Sequence, residues 1–338
     1  MITHTTKPIV GLLPVALALM GNIFVAIIKF FGFTISGSGA MFSESVHSVA
    51  DTVNQSLLLF GIRRSRRRPD EGFSYGYGKE RFFWALISAC GIFFLGAGVT
   101  VYHGIELLIT KEMPELSPMV FIILFVSFVV ESFTLFIAWR ELKRSNVDRT
   151  FAEALLHGDP STIAVLYEDG VAVLGVLVAL VSLTLTVLTG NAIWDAVGSI
   201  LVGLLLGVVA IILIQKNHKY LIGMNIPDEI RMRIIEILEA DPTIDRVLDF
   251  KSSVLDVGIY HIKCEIEFNG SALMYEVAKR GELRDEYDSI RDDYSEFLKL
   301  VVGYFGRVPR LMGSHIDRLE KIVQKEIPEI RHIDIEIN

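Results

Sequence analysis

Six runs of apolar residues fill the first two thirds of the chain, at about Ile9–Phe31, Ala40–Ile62, Phe82–Ile109, Pro118–Trp139, Ser161–Thr189 and Ala192–Ile214. As helices rising about 1.5 Å per residue, each is long enough to cross a hydrocarbon core of roughly 30 Å. Past Ile214 the pattern changes to shorter, amphipathic segments. Pro227-Asp228-Glu229 opens a predicted helix that runs to about Ala240, its carboxylates in the first turn where the helix dipole favours them. Thr243–Phe250 and Ile259–Phe268 predict strands, with the alternation clearest in His261-Ile-Lys-Cys-Glu-Ile-Glu-Phe. Asn269-Gly270 ends the second of them. A charged helical insert over about Leu273–Tyr304, a helix over about Gly313–Glu326 and a last strand over Arg331–Asn338 follow.

These elements predict an α-helical membrane protein in two parts: six transmembrane helices in residues 1–214, and a cytoplasmic α+β domain of ferredoxin-like αββαβ order in residues 215–338. Composition agrees. The 338 residues are 51% hydrophobic with a mean hydropathy of +0.47, which places the chain in the integral-membrane class. Residues 1–214 carry 14 Lys+Arg against 16 Asp+Glu, and residues 215–338 carry 18 against 24, so the second part is acidic and offers no basic footprint for nucleic acid. Cys90 and Cys264 lie too far apart in unlike settings for a disulfide framework or a cysteine-based zinc site. The first apolar run is too long for a signal peptide and contains Lys29, and no small-x-small cleavage site follows it, so it is read as the first span.

Charge sets an expected orientation. Arg63, Arg64, Arg66, Arg67, Arg68, Lys79 and Arg81 follow span two, and Arg140, Lys143, Arg144 and Arg149 follow span four. The connections after spans one, three and five hold only Lys111. The positive-inside rule then puts both basic loops and both termini in the cytoplasm. No transit peptide is evident, so the expected location is the cell's inner membrane.

Polar residues inside the apolar runs change the picture most. Span two contains Met41-Phe-Ser-Glu44-Ser-Val-His47-Ser-Val-Ala-Asp51-Thr-Val-Asn54-Gln55. His47 and Asp51 are one helical turn apart on one face, with Glu44 on the same stripe. An imidazole and a carboxylate so placed are half of a tetrahedral site for a borderline metal such as zinc. An ionisable group near the bilayer centre costs about 2.5–3.5 kcal/mol on insertion scales, which demands a reason. Span five carries Tyr167-Glu168-Asp169-Gly170. Counted inward from Ala40 and from Gly158, Asp51 and Asp169 both lie about 16 Å deep, so they reach the midplane from opposite sides. Neighbours on a helix diverge by about 100°, so one of Glu168 and Asp169 faces the span-two pair fully and the other partly.

The expected metal ligands are therefore His47, Asp51, Glu168 and Asp169, with Asn54 as a further oxygen ligand or a support for Asp51, and Glu44 as an exit-side ligand. Glu131 and Asp195 are read either as points on the ion path or as a structural pair and a cap. Asn22 is read as a helix contact and Lys29 as an interfacial snorkel. Two readings compete with a metal site: a buried polar cluster that fixes helix packing, and a proton relay.

With these residues in view, the chain resembles the cation diffusion facilitator family of divalent metal/proton antiporters. The likeness rests on six spans, His-Ser-x-x-Asp in span two, Phe-x-Tyr-Gly-Tyr-Gly-Lys79-Glu-Arg81 leading into span three, Trp194-Asp195 with Gly-Ser-Ile-Leu-Val-Gly in span six, and the carboxyl-terminal domain. The family takes two ligands from span two and a His/Asp-x-x-x-Asp pair from span five. His47, Asp51 and Asp169 match that pattern, and Val165 stands where the fourth ligand belongs. Glu168 beside Asp169 resembles the branch that includes a mitochondrial zinc transporter, and Glu168, Asn54 or water then completes the shell. The resemblance also implies a homodimer through the carboxyl-terminal domain, where His218, His261, His315 and His332 are candidates for regulatory metal, His261 and His332 on strands that can neighbour each other.

The function expected is efflux of a divalent cation, zinc first, from the cytoplasm in exchange for protons, with the metal and the protons as substrates, membrane lipid as surroundings and no cofactor. More oxygen ligands shift preference towards Mn²⁺ or Fe²⁺, which leaves a harder-ion antiporter as one alternative and a passive channel or receptor as another. An intramembrane metallohydrolase would need an open coordination position and a placed base, and no His-Glu-x-x-His is present, so no enzyme is expected.

Overall fold

The first unit exposes many large apolar side chains and buries a set of charged and polar ones beside its apolar core. The computed structural model describes residues 12–115, 117–145, 160–278, 287–288, 290 and 293–338, and it divides into two units, Met1–Ile222 and Gly223–Asn338. Arg149, the start of the first apolar run at Ile9, and Arg280 lie outside the described residues. The first unit contains α1 (Leu12–Ser36), α2 (Gly39–Ser65), α3 (Glu80–Thr110), α4 (Pro118–Ser145), α5 (Pro160–Thr189) and α6 (Ile193–Ile222). Among the described residues, five of these, all but α2, are long and apolar enough to cross a membrane. Helix α2, at 27 residues, is long enough but too polar.

The reason is the inverted pattern of α2. It touches α1, α3, α5 and α6, and it buries Ser43, Glu44, Ser45, His47, Ser48, Asp51, Asn54 and Gln55 while Val49 and Val53 are exposed. Elsewhere Phe24, Phe125, Phe133, Leu204 and Val208 make an apolar exterior suited to lipid. The interior apolar packing of Met41, Val120, Leu124, Val176, Ala179 and Leu183 ties α2, α4 and α5 together. Helix α3 contains a π-helical stretch, Ile92–Gly98, where it packs on α2 and α6; such stretches widen a helix locally. Gly203 lets α6 lie directly on α3, since a Cβ there would sit 3.0 Å from the Val101 backbone nitrogen.

Helix α6 runs on to Ile222 rather than ending near Ile214. Asn217 Nδ2 donates back to the Leu213 carbonyl at 2.8 Å, and the Tyr220 ring stacks on Phe82 at 4.6 Å between centroids. The unit boundary accordingly falls after Ile222, later than the end of the apolar run.

Asp195, in the first turn of α6, is 2% exposed and caps the start of α2. Its Oδ1 accepts from Ser38 Oγ at 2.8 Å and from the Ala40 amide at 2.9 Å, and its Oδ2 accepts from the Gly39 amide at 2.7 Å. Ser38 Oγ in turn accepts from the Met41 amide at 3.2 Å. Of its two expected roles, Asp195 fills the structural one.

In the second unit, α7 (Asp228–Glu239) is followed by β1 (Ile244–Asp256), β2 (Ile259–Phe268), α8 (Gly270–Ala278), α9 (Tyr294–Glu326) and β3 (Ile330–Ile337). The sheet order is β1-β2-β3, antiparallel between the first two and parallel between β2 and β3. Alternation along β2 sends Ile262, Cys264 and Ile266 into a core with Ile234, Leu238, Leu319, Val323, Ile333 and Ile335. Burial pushes the Cys264 thiol up to about 12. Strand β1 runs past Phe250 because a bulge between Leu248 and Lys251, with Asp249 at φ 38°, interrupts its alternation without ending its pairing. Helix α9 is one element from Tyr294, where Asp293 caps it through the Ser295 amide at 2.8 Å. The expected break between an insert and a helix at Gly313 does not occur, although Gly303, Gly306, Pro309 and Gly313 all lie within it. A single apolar stripe carries the helix through them.

Replacing Asp195 by Ala leaves buried donors at Ser38, Gly39 and Ala40 without an acceptor, and should destabilise the protein by about 2–3 kcal/mol. Asp195→Asn, which keeps an amide oxygen, should cost less. Thermal unfolding of the purified protein in detergent checks the order wild type, then Asn, then Ala.

Candidate functional site

The site is built on the inward face of α2. The repeat of Glu44, His47, Asp51 and Asn54 at intervals of three and four places all of them on one side of the helix, away from the exposed valines. His47 is 2% and Asp51 9% exposed. His47 Nε2 lies 3.3 Å from Asp51 Oδ2, and both ring nitrogens are buried without a hydrogen-bond partner. A buried imidazole that finds no donor or acceptor is costly in a finished core.

Helix α5 faces this stripe. Glu168, 5% exposed, accepts a hydrogen bond from Asn54 Nδ2, and Asn54 Oδ1 accepts from Ser88 Oγ of α3 at 2.5 Å. A chain of donors therefore runs from α3 through α2 to α5 and holds Glu168 against Asn54. Asp169 lies beside the Thr134 hydroxyl of α4. Glu168, Glu131 and Asp169 are all within electrostatic reach of Asp51. Among the described residues no three of His, Cys, Asp and Glu are drawn close enough to enclose an ion. The structure thus pairs His47 with Asp51, gives Glu168 to Asn54 and Asp169 to Thr134, and leaves the four expected ligands neighbouring but not converged. The Val165 side chain lies outside the described residues.

Lys29 is not a snorkel. It is 0% exposed, and its Nζ bonds Glu44 Oε2 at 2.7 Å and Glu131 Oε1 at 2.5 Å, joining α1, α2 and α4. Three opposed charges in three apolar runs were the available signal.

Comparison with known proteins agrees with this architecture. Residues 15–222 match the family model described as the cation efflux transmembrane domain. Metal tolerance protein C4 of Arabidopsis thaliana is 39% identical over 330 residues, which cover 95% of this chain and 72% of that protein. The mitochondrial proton-coupled zinc antiporter SLC30A9 of Homo sapiens is 36% identical over 314 residues, 91% of this chain and 55% of that protein. The chain thus spans little more than half the length of the second of these relatives.

The family-model match stops at residue 222, before the second unit, which has its own pair of facing histidines. His261 and His332 face each other in the parallel register of β2 and β3, with ring centroids 6.3 Å apart, and His261 Nε2 is 3.0 Å from Asp334 Oδ2. His315 is held between Glu276 and Arg318, each at 2.6 Å, as a structural residue. His218 lies on α6, in the first unit.

Burial and then the adjacent His261 hold the His332 ring below the usual histidine range. A base weakened by folding binds protons better unfolded, so stability is full above the ordinary value of about 6.5 and is lost as pH falls through that value towards the lowered one. Hydrogen exchange at the Ile333 and Ile335 amides, corrected for intrinsic rate, should show protection falling on acidification, and His332→Gln should flatten the fall.

Proposed function

The chain belongs to the cation efflux family, and on that premise we propose that it exchanges one divalent cation, zinc first, for protons across the membrane. It is a multi-pass membrane transporter and not an enzyme. The observation that carries the reading is the buried His47 ring, with both nitrogens free and a carboxylate at 3.3 Å, on the inward, polar face of α2. His47 and Asp51 supply the first two ligands. Asp169 and Glu168 complete the shell when α5 closes on α2, and Asn54, which now holds Glu168, releases or follows it.

Coupling follows from ligand chemistry. Metal requires a neutral imidazole and ionised carboxylates, and the same atoms take protons when it leaves. One site cannot carry both loads at once, so passage of one drives the other. Rocking of α2 and α5 against each other would expose the site to each side in turn. One imidazole among three carboxylates leans towards oxygen ligation, which supports Mn²⁺ or Fe²⁺ as the second substrate reading. Efflux runs from the side of the arginine-rich loops, taken as cytoplasmic along with both termini, across the cell's inner membrane. The second unit serves homodimer assembly, and regulatory metal would enter at His261 and His332.

Reconstitution in liposomes with a zinc-sensitive dye and an imposed pH gradient tests the exchange. Asp51→Ala should lower the flux by about 100-fold or more, at the upper end of the effect of losing a supporting group at a metal site. Equal flux through wild type and Asp51→Ala would end the assignment, and flux indifferent to the pH gradient would replace exchange by a channel.

A further inference from the structure

The exchange reading uses His47, Asp51, Glu168 and Asp169, and it leaves Lys29, Glu44 and Glu131 without a task. Their geometry is unusual for a structural latch. Two carboxyl groups share one ammonium, so acids outnumber bases in the buried group. Each carboxylate uses one oxygen. Glu44 Oε1 and Glu131 Oε2 are buried and have no partner. Ser48, one turn beyond Glu44 on α2, and Ser127, one turn before Glu131 on α4, also bury hydroxyls without a partner. Helix α5 leaves room for the free Glu44 oxygen: a Cβ at Gly175 would come within 2.5 Å of it. A latch would have closed on these oxygens, because an unpaired buried acceptor costs more than a hydrogen bond gains.

We propose that Glu44 and Glu131 form a second position for a divalent cation, one helical turn from His47 on α2, and that Lys29 is a tethered cation which occupies this position and keeps metal from lodging there. The ammonium supplies the positive charge that two facing carboxylates require in a dry interior. Being covalently attached, it needs no binding from solution, so it outcompetes a dilute ion through proximity alone. The free oxygens and the two serine hydroxyls are an all-oxygen donor set, which suits a hard dication. In the transport cycle the ion passes this position without stopping, because the lysine refills it. The inference rests on the exchange function above, since that function is what brings a dication into the same seam.

Mn²⁺, whose electron paramagnetic resonance signal reports binding directly, is the probe. In the purified full chain, Lys29→Met keeps the stem and removes the charge, and should bind one Mn²⁺ more than wild type. The increment should vanish in Lys29→Met/Glu131→Gln and persist in Lys29→Met/His47→Ala. In liposomes Lys29→Met should lower KM for the metal and also lower the maximal rate, a split that loss of fold would not produce. Lys29→Arg, which restores a fixed cation, should return the wild-type count. If Lys29→Met does not purify as a monodisperse protein, Lys29→Gln carries the same expectation. A Lys29 variant that folds and binds no more Mn²⁺ than wild type overturns the proposal, as does an increment that survives Glu131→Gln. His47→Ala alone should lose one ion; if it binds as wild type does, the exchange site is wrong, while the Lys29 comparison still decides this position.

Discussion

A carboxylate taken out of water needs either donors or a cation, and the membrane unit is arranged around how six of them are supplied. Asp195 takes two backbone amides and a serine hydroxyl. Glu168 takes the Asn54 amide, itself tied to Ser88. Asp169 has the Thr134 hydroxyl beside it. Glu44 and Glu131 share Lys29. Asp51, among the described residues, has an imidazole at a distance beyond a good hydrogen bond. Ordered in this way, the six run from fully satisfied to barely satisfied. The first is part of the scaffold, and the last has the least help from the protein itself.

This ordering explains why α2 is so unlike its neighbours. A helix that turns serines, two carboxylates, an imidazole and an asparagine inward cannot be held by apolar contact alone, and it would be costly in lipid by itself. It is surrounded instead, by α1, α3, α5 and α6, and its first turn is completed by a side chain from α6 together with its own cap, Ser38. The apolar grip on it is spread along the helix: Ala40 and Met41 pack with α4 and α5 residues near its start, Ala50 packs on Ile92, Ala97, Leu206 and Ala210 of α3 and α6, and the Phe60 ring meets Trp84 edge-on at 4.8 Å. The polar stripe between them is held by hydrogen bonds and charges. Both kinds of contact follow from where the polar residues fall along a single helix.

Much of this was legible in the sequence, for physical reasons that differ by element. The apolar runs showed themselves because lipid demands them over their whole length, and β2 did because both its faces alternate cleanly. His47 and Asp51 stood out because their spacing and depth are both set by one helix. Lys29 was misread because a long flexible stem makes a buried lysine and a snorkelling one look alike in sequence, and its partners lie 15 and 102 residues away. Asp195 could be read two ways until the amides of Gly39 and Ala40 were seen to point at it. Helix α9 was cut short by its glycines and Pro309, whose local preferences lost to a stripe that continues into the core at Leu319 and Val323. The end of β1 was misplaced because a bulge at Asp249 hides the alternation on which strand prediction depends.

A site that carries an ion through a membrane has to satisfy opposite demands. If every polar atom in it had a protein partner, no ion could compete for them. If none had, the helices would not hold it. In the seam between α2 and α5 satisfaction is uneven: Glu168 accepts from the Asn54 amide, the His47 ring nitrogens have no hydrogen-bond partner, and Asp51 is near a partner without being bonded to it well. Incomplete satisfaction costs stability. A site that releases what it binds has to hold it firmly enough to fill and loosely enough to empty. The same reasoning separates the Asp195 cap, whose oxygens are all taken, from the Lys29 cluster, whose carboxylates each keep one oxygen in reserve.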